Sequence, residues 1–315
     1  MAKDPNGNQM NIKMDELLKK EKRKNKKAIA TLKAYLFLAP FLILFATMVI
    51  YPIVLGFKLS LYGQRGARMW YIGFQNFATI LQDSRFWEAF RIPLFLLLIQ
   101  VPLMIFIATL IAFCYERLEK HGGSFFRFIF YLPYTIPGIV TGIIWSYIFS
   151  DSMSPFRPAL DLMGYVGTKI LTRQHLPAIL LVIILWAYTG YTAFVIYSSL
   201  ISIPKEYSEQ AQLDGATFWQ VAFKIKVPLL KGVFIPLFIF NAIGAIQVFN
   251  EPWMLKELVV LPSNYTPAMY IYNSAFAQGR FTYASAMGMI LAFLTFLISF
   301  GVLRGAAKQM LTDEM

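Results

Sequence analysis

The residues able to do chemistry in this 315-residue chain are mostly uncharged, and they gather in its later apolar runs. Trp186, Tyr188, Thr189, Gly190, Tyr191 and Thr192 stand together in one run. Asn241, Gly244, Gln247 and Asn250 stand in the next, followed by Glu251 and Trp253. Thr282, Tyr283, Ser285 and Thr295 mark the last. Groups of this kind bind a solute and break no bonds. Hydroxyls and amides supply neutral donors and acceptors, and aromatic rings pack on C–H faces, which together suit a sugar. On a helix, Gly244, Gln247 and Glu251 recur at three- and four-residue spacing and share a face. The competing use is packing, because small and amide residues also join apolar helices. Asn241, the deepest of the set, is expected to serve that use.

Bond-making chemistry finds no support. No Ser, His and acid fall together, and no pair of carboxylates lies within an apolar run. Asp161 and Glu251 are expected on the outer face, as caps or ion-pair members. Cys114 is the one cysteine, which makes neither an intrachain disulfide nor a zinc site, and it is expected to fill apolar space. His121 and His175 are expected on opposite sides of a membrane, where they share neither metal nor proton. No site residue is catalytic and none binds a metal. The apolar runs hold no Asp, Glu, Lys, Arg or His, so proton coupling lacks a carrier. No G-x-x-x-x-G-K-[ST] loop is present, so any energy comes from a partner.

The elements that must position these residues follow from hydropathy. The chain is 57% hydrophobic and 15% charged, with a mean hydropathy of +0.55, too apolar for a soluble domain of this size. Six runs reach the length of a spanning helix. They are Ala34–Phe57, Ile92–Cys114, Phe128–Phe149, Leu176–Leu200, Gly232–Asn250 and Phe281–Leu303. The expectation is an all-α membrane protein with six spans. A basic tail over residues 1–33 precedes a domain over 34–304, and a short tail over 305–315 follows. The first run follows a charged stretch and lacks a small-residue cleavage site, so it is expected to be retained. Lys and Arg number 19 in one set of alternating segments and 10 in the other, which places both ends inside. The net charge of +12 is concentrated in the tail, where Lys19, Lys20, Lys22, Arg23, Lys24, Lys26 and Lys27 crowd before the first run. This suits an anchor beside anionic membrane lipid. A nucleic-acid partner is not expected, since no aromatic stacking pattern accompanies the charge. Pro93, Pro102, Pro133, Pro137 and Pro236 are expected to bend their spans.

One segment is too long and too patterned for a simple turn: residues 202–231, between the fourth and fifth runs. Pro204 suits the first position of a helix. Gly215 suits a left-handed C-terminal turn. Thr217 and Gln220 match a capping box for a second helix, and Pro228 ends that helix or starts the next span. Together Glu209-Gln210-Ala211, Gly215, Ile225 and Val227-Pro228 resemble the EAA loop of ABC importer permeases, with Gln210 and Val227 as mild departures. Asp214-Gly215-Ala216 resembles the carbohydrate branch of that family. So do Tyr131–Gly138, in the third run, and Ile72–Phe77 with Phe86-Trp87 beyond. The resemblance covers residues from about 35 to 305.

The resemblance implies a permease subunit with no ATPase site of its own, in a bacterial inner membrane. It implies a second homologous permease, two ATPase subunits that hold ATP and Mg, and an extracytoplasmic sugar-binding protein. It places the EAA helix in the cytoplasm, with Glu206, Glu209, Ala211, Asp214, Gly215 and Phe218 as coupling residues. Glu209 is the expected charged contact, while Phe218 and Trp219 either anchor the partner or pack beneath the loop. It also places a substrate path in the later spans, at Tyr188, Tyr191, Gly244, Gln247, Asn250 and Glu251. Importers of another solute, such as a glycerol phosphate or polyamine, remain an alternative, as do a membrane enzyme and a structural subunit.

Overall fold

The computed structural model describes residues 31, 33, 35–118, 123–150, 153–164 and 171–313. The lysines of the basic tail named above and His121 lie outside them. Two compact units are distinguished, residues 1–58 and 59–315. The first consists, where described, of most of helix α1, Tyr35–Ser60.

In the second unit a small hairpin comes first, β1 at Tyr62–Arg65 and β2 at Arg68–Tyr71. It is a local addition to an otherwise helical fold of the expected all-α class. Gly66, at φ +60°, takes the first central position of a two-residue turn, which is the geometry a hairpin of this twist requires. Trp70 lies so flat across its partner Gly63 that a Cβ there would stand 2.9 Å from the indole. Then follow α2 (Gln75–Gln82) and α3 (Ser84–Arg117). Next come α4 (Gly123–Thr135), α5 (Gly138–Ile148), α6 (Arg157–Leu162) and α7 (Leu176–Leu200). The chain continues through α8 (Lys205–Leu213), α9 (residues 218–229), α10 (Lys231–Ile246), α11 (Asn250–Leu255), α12 (Pro267–Tyr272) and α13 (Phe281–Asp313).

Among the described residues five helices are long and apolar enough to cross a membrane, or six if one bent pair counts as one span. Their bounds refine the expected runs. The fourth run coincides with α7. The second is longer than expected at both ends, and α13 continues to Asp313, through the stretch expected to be a tail. The third is not one rod: α4 and α5 meet at 97°. Pro133 tightens the end of α4 into a 3-10 turn, and Pro137 disfavours the helical region for the residue before it, Ile136, which stands extended at ψ 123°. The fifth also breaks, since α10 stops at Ile246 and α11 restarts at Asn250.

Prolines act elsewhere by loosening the helix without ending it. Pro52, Pro102 and Pro228 each follow a five-residue π turn by two positions: Ala46–Ile50, Leu96–Gln100 and Ala222–Lys226. Each ring removes the N–H that a carbonyl inside that turn would accept, and the wider turn relieves the clash. Pro236 sits inside α10 without such a turn.

The most buried rod is α7, which packs on α3 and α4. At Gly190 the backbones nearly touch: an added Cβ would overlap the Phe130 carbonyl oxygen. Gly138 and Gly142, one turn apart on α5, receive α11 in the same way, with Met254 2.7 Å from where a Cβ of Gly142 would stand. A polar clamp ties α2, α12 and α13 together. Asp83 accepts from the Tyr270 hydroxyl at 2.8 Å and the Tyr283 hydroxyl at 3.1 Å. Burial and the neighbouring Asp83 push the Tyr270 phenol up to about 12, so it remains a donor at neutral pH. Gln64 of the hairpin accepts from the Thr282 backbone N–H in the first turn of α13.

Candidate functional site

A cavity of about 380 Å³ opens between α3, the α4 end, α7 and the broken α10–α11 segment. Its aromatic wall is built by the proline-broken third run. The break brings Tyr134 onto Tyr191, with rings stacked at 4.3 Å and 16°, and places Tyr188 edge-on at 6.0 Å. The opposite wall carries Asn241, Gln247 and Asn250, with Gly244 between them and Gln100 from α3. Because α10 stops at Ile246, residues 247–249 leave the helix, and Gln247 stays exposed to the cavity.

Glu251, also expected in the substrate path, lines this cavity. It is only 5% exposed and sits in the cavity wall, where its Oε1 accepts a long bond of 3.4 Å from the Tyr188 hydroxyl. Asp161 does join an ion pair, with Arg157 at 3.0 Å. Cys114 is exposed on α3, where filling of a core was expected. Asn241 lines the cavity and donates to the Leu237 carbonyl of its own helix at 2.8 Å. Among the described residues, no Lys, Arg or His lines the cavity.

The second candidate region is the loop. Pro204 stands one position before α8, as its N-cap. At the far end Gly215 takes φ +83°, the Gly215 N–H donates to the Gln212 carbonyl at 3.0 Å and the Ala216 N–H to the Ala211 carbonyl at 2.9 Å. This paired reversal, a Schellman ending, needs a residue tolerant of positive φ. Thr217 and Gln220 form both bonds of a capping box, so α9 starts three residues after Gly215. Glu206, Glu209, Asp214 and Gly215 are exposed and Ala211 is half-buried. Phe218 turns inward against the packed ends of α3 and α7, beneath the Arg117 guanidinium at 5.5 Å. Trp219 stays outside, stacked on Phe223 at 5.8 Å. Under the loop the Lys226 ammonium donates to Glu116 Oε1.

A model of the family described as "Binding-protein-dependent transport system inner membrane component" matches residues 104–309. The chain belongs to this family. It is therefore a multi-pass inner-membrane permease component. The permease is 28% identical over 285 residues to the lactose transport system permease protein LacF of Rhizobium radiobacter, covering 88% of this chain and 95% of that one. It is 30% identical over 274 residues to the probable ABC transporter permease protein YurN of Bacillus subtilis, covering 84% and 92%. Its fold matches a chain in the crystal structure of a bacterial ABC transporter involved in the import of the acidic polysaccharide alginate. The TM-score is 0.79 at 23% identity, over 91% of the permease and 99% of that chain.

In the permease, Tyr188, Tyr191, Gly244, Gln247, Asn250 and Glu251 all line this cavity. The polar residues of the last run do not join them. Tyr283 serves the Asp83 clamp, and the Thr295 hydroxyl bonds its own helix at Leu291. Sequence reasoning missed Tyr134 and Gln100 as wall residues. The paired prolines around Tyr134 were the available signal. Gln100 had the two-residue spacing to Pro102, which puts it at the end of a π turn.

Proposed function

We propose that the permease is one of two homologous membrane subunits of an ATP-driven importer for a neutral sugar or oligosaccharide. The observation that carries the substrate class is the cavity lining: stacked tyrosines, four amides, and no cationic side chain among the described residues. Aromatic faces and neutral donors serve a polyhydroxylated ring. A phosphate would require cations that this wall lacks. The lactose named for LacF agrees in class; the acidic alginate named for the structural relative does not.

In this reading the bent third run and the broken fifth each count as one span, giving six, with both ends in the cytoplasm. Residues 34–304 form the membrane domain between the two tails, and the basic tail lies beside anionic lipid. Two ATPase subunits, which hold ATP and Mg, receive α8 in a cleft. Glu209 makes the charged contact, Glu206 and Asp214 add exposed acids along the loop, Ala211 packs on the side away from Glu209, and Gly215 sets the sharp end. Phe218 anchors the loop to the membrane domain. An extracytoplasmic binding protein delivers the sugar, and closure of the ATPase pair rocks the two permeases between inward- and outward-facing states.

The test is a binding panel on the cognate binding protein, followed by uptake in proteoliposomes holding the whole complex. The panel holds lactose, neutral oligosaccharides, alginate oligomers, glycerol 3-phosphate and spermidine. Retention and uptake of a neutral sugar are expected. Uptake of spermidine would transfer the leading role to the Glu251 carboxylate, and uptake of the phosphate or alginate oligomers would overturn the reading.

A further inference from the structure

We propose that Glu116 and Lys226 form a latch that holds the loop helices at a fixed angle to α3, and that this latch is needed to turn ATP hydrolysis into transport. The inference rests on the coupling role given to the loop. Glu116 lies in the last turn of α3, and Lys226 closes the π turn of α9, 110 residues later. Lys226 is 8% exposed, an unusual depth for a lysine. Stability alone is a poor reason to bury such a pair, because apolar side chains of similar volume serve at least as well.

The geometry points to orientation. Arg117, the next residue of α3, lies over Phe218 at 5.5 Å. Consecutive residues of one rigid helix thus hold the start and the π turn of α9. Two points of attachment fix a direction, where one would fix only a distance. The hold is also incomplete: Glu116 Oε2 is buried without a hydrogen-bond partner among the described residues. A half-satisfied pair is one that a change of state can break or re-form. A pocket of about 330 Å³ between α3 and the loop, lined by Glu116, Lys205, Glu209 and Lys226, leaves room for that movement.

The decisive variant removes both charges and keeps the volume, Lys226→Met with Glu116→Gln. It leaves no unpaired buried charge, so the complex is expected to assemble. In proteoliposomes with the ATPase subunits and the binding protein loaded with the sugar chosen by the panel, sugar transported per ATP should fall at least about fivefold, the low end of couplings between sites. Half-saturation for the loaded binding protein should stay as in the natural complex. Exchanging the charges, Lys226→Glu with Glu116→Lys, should recover most of the ratio. An undiminished ratio in the doubly neutral complex overturns the latch, and so does an exchange that recovers nothing. A doubly neutral complex that fails to assemble overturns it too, because the pair is then purely structural. Gly215→Val, measured alongside, separates the two levels. If it also leaves the ratio intact, the coupling role of the loop has failed; if it uncouples while the latch variant does not, only the latch has failed.

Discussion

The loop and the cavity are built in opposite ways. Between residues 204 and 229 every turn is fixed by neighbours: the Gly215 reversal, the Thr217–Gln220 box and the π turn before Pro228 each close within about one helical turn. The cavity is fixed by distant segments. Tyr134 meets Tyr191 from another helix, Gln100 comes from a third, and Gln247 and Asn250 from a broken fourth. A locally determined element keeps its shape while it moves as a body, which suits a part that transmits force. A surface assembled from four segments changes shape whenever any of them shifts, which suits a part that must bind and then release. Within the proposed function, this difference suits the loop to movement and the cavity to affinity.

The largest expected effect tests how strictly the cavity depends on its helices staying close. Gly190→Val places atoms on the Phe130 carbonyl, and no side-chain rotation relieves that overlap. Overpacking of this kind costs about 1–3 kcal/mol or more, so assembled complex should be lost or its thermal transition sharply lowered in a melting assay. A complex of normal yield and stability would mean that α4 and α7 are loosely joined. Next, Gly215→Val forces a branched side chain to φ +83° at a cost of about 1–3 kcal/mol. Assembly and half-saturation should be normal, while stimulation of ATP hydrolysis by loaded binding protein is lost. A change in half-saturation here would break the division of labour.

Gln247→Leu and Asn250→Leu should do the reverse. Each neutral hydrogen bond contributes about 0.5–1.5 kcal/mol, so half-saturation should rise several-fold per site while sugar moved per ATP stays constant. Asn250 also faces Gly138, whose added Cβ would stand 3.1 Å from its amide, so its variant should lose some stability as well. Uptake curves that superpose on the natural one for both variants would remove these amides from the path. The smallest effect is Thr217→Ala. Loss of a cap costs about 1 kcal/mol, and the loop should loosen without uncoupling. Faster hydrogen exchange confined to residues 217–226 is the expected signature, and exchange spreading into α7 would show that the loop is not an independent body.

The same contrast explains what could be read from the residues alone. Gly215, Thr217, Gln220 and Pro228 declare their conformations through neighbours three or four positions away, and α7 declares its ends through an unbroken apolar run. Tyr134 gave no such sign, because its place in the wall depends on a 97° break and on a ring 57 positions later. Glu251 was assigned to the outer face because a carboxylate at the end of an apolar run usually belongs to water. Its burial follows from the close packing of α11 on α5, where Gly138 and Gly142 admit Asn250, Glu251 and Met254. The hairpin was missed because four-residue strands carry too little alternation to register.

The π turn before Pro228 has a mechanical consequence. It stands between the loop and α10, and a helix rises about 1.5 Å per residue, so the 16 residues of α10 make a lever of about 24 Å. A swing of about 10° at that joint carries the far end of the lever through about 4 Å. That end is where Gly244 and Gln247 sit. A displacement of this size exceeds the length of a hydrogen bond, so a small rotation beneath the membrane domain is enough to withdraw an amide from a bound solute.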